Sequence, residues 1–181
     1  HVYVLEPDPA RELLLRRSGL PDTEAHRAAA GRARAGVTAL MATLISDERG
    51  KIAAAIDAVN QGIREGMPGL LGLHLEGPWL SEPRRGVHPQ RYLRAMDAED
   101  LALVAQRRLF PVLVTLSSEH ASPDDVRRLA AGGVTVSIGH TAAPHADIEA
   151  LIAAGVVFIL MEGDGPGPLG HATDPRAARR P

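Results

Sequence analysis

"GLLGLHLEGPWLSEPRRGVHP", from Gly69 to Pro89, sets a leucine-rich run directly against Glu76, follows it with Gly77 and Pro78, and returns to His88. The run Leu70 to Leu75 has the length of a buried strand, and a glycine and a proline mark its end. The stretch reads as a strand stopped on a carboxylate, which raises the question of what holds that charge.

The same pattern recurs on both sides. Short apolar or β-branched runs stand at 37–45 ("VTALMATLI"), 110–117 ("FPVLVTLS"), 134–140 ("VTVSIGH") and 156–161 ("VVFILM"), and they read as strands buried on both faces. Alanine- and arginine-rich stretches with helical spacing lie between and before them, at 22–35, 49–65, 97–106, 123–131 and 144–154. Glycines in "RAGVTAL", "AAGGVTVSI" and "IAAGVVFIL" predict left-handed helix ends, and Ser122-Pro123-Asp124-Asp125 predicts a capped helix start. Strand and helix alternating with short connections imply an α/β fold with parallel strands. Two architectures share that order, an open doubly wound sheet and an arc of a (β/α)8 barrel, and periodicity does not separate them. The open sheet lacks its usual support, since neither G-x-G-x-x-G nor G-x-x-x-x-G-K-[ST] occurs.

Outside this block the pattern fades. Residues 1–21 are poorly patterned, 22–161 form the expected barrel-type domain, and 162–181 ("EGDGPGPLGHATDPRAARRP") read as a Gly/Pro-rich loop or tail. The chain has 181 residues, 45% of them hydrophobic and 23% charged, the composition of a globular protein. Twenty basic against 22 acidic residues give a net charge of −2, which offers no general attraction for nucleic acid or an anionic membrane and points to a small molecule or a protein as partner. Without cysteine, disulfides, thiolate metal sites and cysteine nucleophiles are excluded. No signal peptide and no apolar span of membrane length is visible, so a cytoplasmic location is expected, and the start at His1 suits numbering that begins inside a longer protein.

In parallel α/β proteins the loops at the carboxyl ends of the strands carry the site. Reading strand ends in order gives Thr43, Glu76, Ser117, His140 and Met161. A carboxylate and an imidazole in that set are donors that a divalent cation such as zinc or iron accepts. Each also has a plain structural alternative: Glu76 bonded to nearby backbone amides, and His140 satisfied at a strand end. Glycine follows Glu76 and precedes His140, which allows close backbone approach to a ligand.

"GLHLEGPWLSEPRRGVH" together with "VSIGHTAAPHADIEALIAAG" and "GVTALMATLIS" resembles the N-acetylglucosamine-6-phosphate deacetylases of the amidohydrolase superfamily, over about residues 25–155. The resemblance implies a (β/α)8 barrel, a homodimer, one divalent metal ion (zinc or iron), and hydrolysis of the acetamide of N-acetylglucosamine 6-phosphate to acetate and glucosamine 6-phosphate. It implies that Glu76 and His140 are metal ligands and that Val87 and His88 contact the bound sugar. It also marks departures. Met161 falls where a second histidine ligand is expected and Asp164 where a phosphate-binding asparagine is expected, and the family's catalytic aspartate has no counterpart. The catalytic residue is therefore unassigned, with Asp164 as a candidate and Glu162 as a possible substitute ligand. Two readings remain open: a metal-dependent deacetylase, and a truncated, non-catalytic relative that binds sugar or a partner subunit.

Overall fold

Five strands lie side by side in the order in which the chain makes them, every neighbouring pair parallel. The computed structural model describes residues 39–159 apart from 68 and 107. The strands are β1 (Leu40–Ile45), β2 (Leu70–Glu76), β3 (Val112–Leu116), β4 (Thr135–Ile138) and β5 (Phe158–Ile159). The helices between them are α1 (Arg49–Arg64), α2 (Ala98–Val104), α3 (Pro123–Ala131) and α4 (His145–Ala154). A doubly wound sheet reverses its strand order at a switch point, whereas a barrel adds each strand to the last. The unbroken order β1-β2-β3-β4-β5 is that of a barrel arc.

Alternation along the strands sends successive side chains to opposite faces. Leu73, Leu75, Val112, Val114, Leu116, Val136 and Ile138 join Ile52 and Val59 of α1, Leu101 and Val104 of α2, Val126 and Leu129 of α3, and Leu151 of α4 in one buried cluster. The opposite face differs from the expectation of strands buried on both sides. It carries Thr43, His74, Glu76 and Thr115, and among the described residues it is only partly covered, with Ile45 42% exposed. That face is the interior of the arc, where polar side chains point toward the strand ends that bear the site.

Element ends depart from expectation for local reasons. β3 starts at Val112, two residues later than the sequence suggests, because Pro111 has no N–H to give the ladder; its carbonyl accepts from the Leu73 amide at 3.1 Å. β4 stops at Ile138: the Gly139 amide still bonds the Leu116 carbonyl at 3.0 Å, and His140, with φ 49°, turns away. Val156 stays outside β5 because its amide bonds the Leu151 carbonyl at the end of α4. The left-handed residue after α3 is Gly133 (φ 84°), while Gly132 keeps φ −75°. α3 begins as its sequence predicts, with the Ser122 hydroxyl accepting from the Asp125 amide and the Asp125 carboxylate accepting from the Ser122 amide. The expected helix at 22–35, the first residues of the first strand, the last of the fifth, and the segments 1–21 and 162–181 lie outside the described residues.

Candidate metal centre

Glu76 is the last residue of β2 and pairs in register with Ile45 of β1 and Thr115 of β3, so its carboxylate stands at the carboxyl-end mouth of the arc. Gly77 then turns the chain with φ 81° into a cis Gly77–Pro78 bond, and Trp79 drops fully into the core. The loop that follows carries His88 back over the strand ends. Four interactions anchor it: the Trp79 indole donates to Asp100 at 2.9 Å, Arg94 donates to the same carboxylate at 2.8 Å, Arg94 N bonds Pro78 O, and Ser81 N bonds His140 O. Arg49 of α1 also donates to Asp100 at 2.9 Å, and that contact holds the Arg49 guanidinium further into its charged form.

The loop and the strand ends bring three side chains together. His140 Nε2 lies 3.3 Å from one Glu76 oxygen, His88 Nε2 lies 3.9 Å from the other, and the two imidazoles meet edge to face at 4.7 Å between centroids. One ligand atom from each falls within 4.8 Å of the others, a grouping that could gather round a metal ion.

Hydrogen bonds settle which ring nitrogens carry protons. His140 Nδ1 is 2.9 Å from the Arg84 carbonyl, which can only accept, so Nδ1 is protonated and Nε2 is turned toward Glu76. An unprotonated Nε2 and a carboxylate oxygen at 3.3 Å are both acceptors, so something positive must stand between them, either the proton of an imidazolium or a metal cation. The hydrogen bond with His140 holds the Glu76 carboxyl below the usual range against the opposing effect of burial. His88 is different. Burial, with the nearby His140, pushes its pKa down, and its Nδ1 accepts from the Ser46 amide at 3.2 Å, so its single proton sits on Nε2.

The left-handed backbone of His140 is uncommon for a residue with a Cβ, and holding it costs about 1 to 3 kcal/mol. Burial of the residue (7% exposed) and the Ser81–His140 and His140–Arg84 bonds maintain it. A carboxylate and an imidazole with its second nitrogen bonded to a backbone carbonyl form a donor pair that fits zinc or iron.

The comparisons with known proteins agree on one family. The chain is 38% identical over 120 residues to N-acetylgalactosamine-6-phosphate deacetylase of Shewanella sp. (strain ANA-3), covering 66% of this chain and 30% of that protein. It is 33% identical over 141 residues to N-acetylglucosamine-6-phosphate deacetylase of Vibrio furnissii, covering 75% and 35%. The crystal structure of N-acetyl-D-glucosamine-6-phosphate deacetylase from Mycobacterium smegmatis superposes with a TM-score of 0.67 at 29% identity, covering 78% of this chain and 38% of that one. Over this segment the chain is similar to the N-acetylglucosamine-6-phosphate deacetylases. The chain spans about a third of the length of these relatives. No family profile matches it.

Of the positions that resemblance to the deacetylases singles out, Glu76, His88 and His140 converge. Val87 is 84% exposed, with its side chain away from the cluster that holds its neighbour. Asp164, Met161, Glu162 and His1 lie outside the described residues. Trp79 is a packing residue. Sequence reasoning missed Ser46, because it took Thr43 as the polar residue at the end of the 37–45 strand and did not look past Ile45; the observed register pairs Thr43 with His74 and puts Ile45 beside Glu76. It missed His74 too, although "LHLE" alternates leucine with polar residues. Facing the arc interior two residues before Glu76, His74 bridges Thr115 of β3 at 2.9 Å and Thr43 of β1 at 3.3 Å, and burial pushes its pKa down.

Glu119 ties the loop after β3 to the loop bearing His140, accepting from Thr141 Oγ1 and the Ala142 amide, each at 2.8 Å. Burial would raise its pKa, but these bonds, with those from its own amide and Ser81, outweigh burial and hold it below the usual 4.5. A carboxyl depressed by folding contributes stability that is complete above its unfolded value and is lost as pH falls through the lower folded value. The Ala142 amide resonance is expected to titrate with a midpoint below 4.5, and Glu119→Gln to remove that transition. A midpoint at or above 4.5 would show that the tie does not form in solution.

Proposed function

We propose that the chain carries the metal-binding part of a deacetylase that hydrolyses the acetamide of N-acetylglucosamine 6-phosphate, giving acetate and glucosamine 6-phosphate. The observation that carries this reading is the Glu76–His140 pair, preset at the strand ends with His140 Nδ1 already engaged by the Arg84 carbonyl. Glu76 Oε and His140 Nε2 would hold one zinc or iron ion. Bound there, the ion supplies a Lewis acid that lowers the pKa of water and polarises the amide carbonyl.

The remaining roles belong to side chains and backbone of the chain itself. Glu76 stays ionised, kept so by its histidine neighbours. His88 presents Nε2–H across the mouth, where it donates to an oxygen of the bound sugar or acyl group, and the backbone at Val87 lies beside the sugar. Arg85 Nη1 bonds the His88 carbonyl at 3.0 Å and steadies that segment. The carboxylate that relays the water's proton to the leaving amine is not among the described residues; Glu162 and Asp164 are the acids that follow β5 in sequence. The same reading takes the protein to be a cytoplasmic homodimer acting on a small phosphorylated amino sugar. No described helix is long and apolar enough to cross a membrane.

The test is metal per folded chain after loading with zinc or iron. Near-stoichiometric binding is expected in the parent. Glu76→Gln and His140→Asn are expected to weaken it by more than the roughly 10- to 100-fold that removing a supporting outer residue costs. Asparagine is chosen because it tolerates the left-handed backbone at 140. Acetate release is then measured with both the glucosamine and galactosamine substrates, since the Shewanella relative is named for the latter. Absence of metal from the parent, or its retention by both variants, would overturn the reading.

A further inference from the structure

We infer that Ser46, at the mouth of β1, is a positioning residue that fixes His88 as its Nε2–H tautomer, making His88 a hydrogen-bond donor to ligand and keeping it out of the metal's ligand set. The inference rests on the proposed reading of Glu76 and His140 as the ligands and adds to it. By distance alone Glu76, His88 and His140 form a three-donor set. Hydrogen bonding divides the two histidines: His140 spends its Nδ1–H on a carbonyl and turns Nε2 toward Glu76, whereas His88 receives at Nδ1 and carries its proton on Nε2.

Ser46 delivers that instruction twice. Its amide donates to His88 Nδ1 at 3.2 Å and its hydroxyl lies 2.8 Å from the same nitrogen. Both residues are 1% exposed, so water does not compete for the contact. The backbone of His88 is pinned as well: its amide bonds Arg85 O and its carbonyl receives Arg85 Nη1, both at 3.0 Å. His88 Nε2 is 3.9 Å from Glu76, beyond hydrogen-bond reach, so its N–H is directed at the mouth without being consumed by the carboxylate. Space for the Ser46 hydroxyl comes from Gly77, where a Cβ would stand 2.3 Å from the Ser46 oxygen. To ligate through Nε2, His88 would have to move its proton to Nδ1 and face the Ser46 amide donor with a second donor.

The experiment is nitrogen-15 spectroscopy of the imidazoles in the full chain, metal-free and zinc-loaded, with His88 assigned by the signals lost in His88→Gln. Expected in the parent are an unprotonated Nδ1 and a protonated Nε2 in both states. Ser46→Ala keeps the amide but loses the hydroxyl, and is expected to shift the His88 resonances toward a tautomer mixture. Zinc stoichiometry is expected to be unchanged in Ser46→Ala and His88→Gln. A protonated Nδ1 in the parent, an unchanged His88 spectrum in Ser46→Ala, or loss of zinc in His88→Gln would overturn the inference. If the parent takes up no zinc, the metal reading fails, and the spectra of the metal-free chain still decide the tautomer.

Discussion

Asp100→Ala is expected to destabilise the fold by about 3 kcal/mol, the low end of the range for breaking a buried ion pair. The carboxylate is fully buried and accepts from Trp79, Arg49 and Arg94. Removing it leaves a buried indole N–H without its acceptor and two guanidiniums without their shared counter-charge. The estimate sits at the low end because the Arg49 and Arg94 side chains are 34% and 30% exposed, so water can re-solvate them in the variant. Asp100→Asn keeps an acceptor of the same shape and is expected to lose about 2 kcal/mol, the contribution of the charge to its hydrogen bonds. Urea unfolding measures both. A loss below about 0.5 kcal/mol for the alanine variant, the ordinary range for surface substitutions, would mean that the cluster contributes nothing. Because the same residues anchor the loop that carries His88, Asp100→Ala is also expected to broaden the His88 imidazole signals.

Gly77→Ala should be nearly as damaging, by about 3 kcal/mol, and for two separate reasons. A φ of 81° is strained for any residue with a Cβ, at about 1 to 2 kcal/mol. The new methyl would also stand 2.3 Å from the Ser46 oxygen and 3.0 Å from two Leu80 carbons, and overpacking of this kind costs about 1 to 3 kcal/mol. A double-mutant cycle separates the terms. In the Ser46→Ala background the clash with the hydroxyl is gone while the backbone strain remains, so Gly77→Ala is expected to cost about 1 kcal/mol less there. Equal losses in the two backgrounds would show that strain and Leu80 account for the whole effect.

Much of the fold could be read from sequence because two periodicities alternate. Apolar runs such as Val112–Leu116 differ sharply from stretches such as Arg49–Arg64, and the Ser122 cap announces its helix. Strand order could not be read this way, since open sheets and barrels share the same alternation; which strands lie hydrogen-bonded side by side decided it. At the site, Glu76 and His140 were visible as polar residues closing apolar runs. His88 by itself looked like an ordinary loop histidine, because its burial depends on an anchor made by Trp79 and Asp100, and Asp100 has no feature that distinguishes it from other acids in the first turn of a helix. Ser46 was passed over because it stands one residue beyond the strand end, and no local pattern could have told that its amide faces a ring 42 positions away.

The unbroken strand order has a bearing on how the centre comes into being during synthesis. Each new strand docks on an edge that the preceding unit has already presented, so growth proceeds by short-range closures rather than by a search for a distant partner. Ser46, Glu76, His88 and His140 emerge from the ribosome in that order, and the last of them follows directly on β4. Metal affinity should therefore appear abruptly in a series of progressively longer nascent chains, once β4 has joined the growing edge, and would mark how far assembly has advanced.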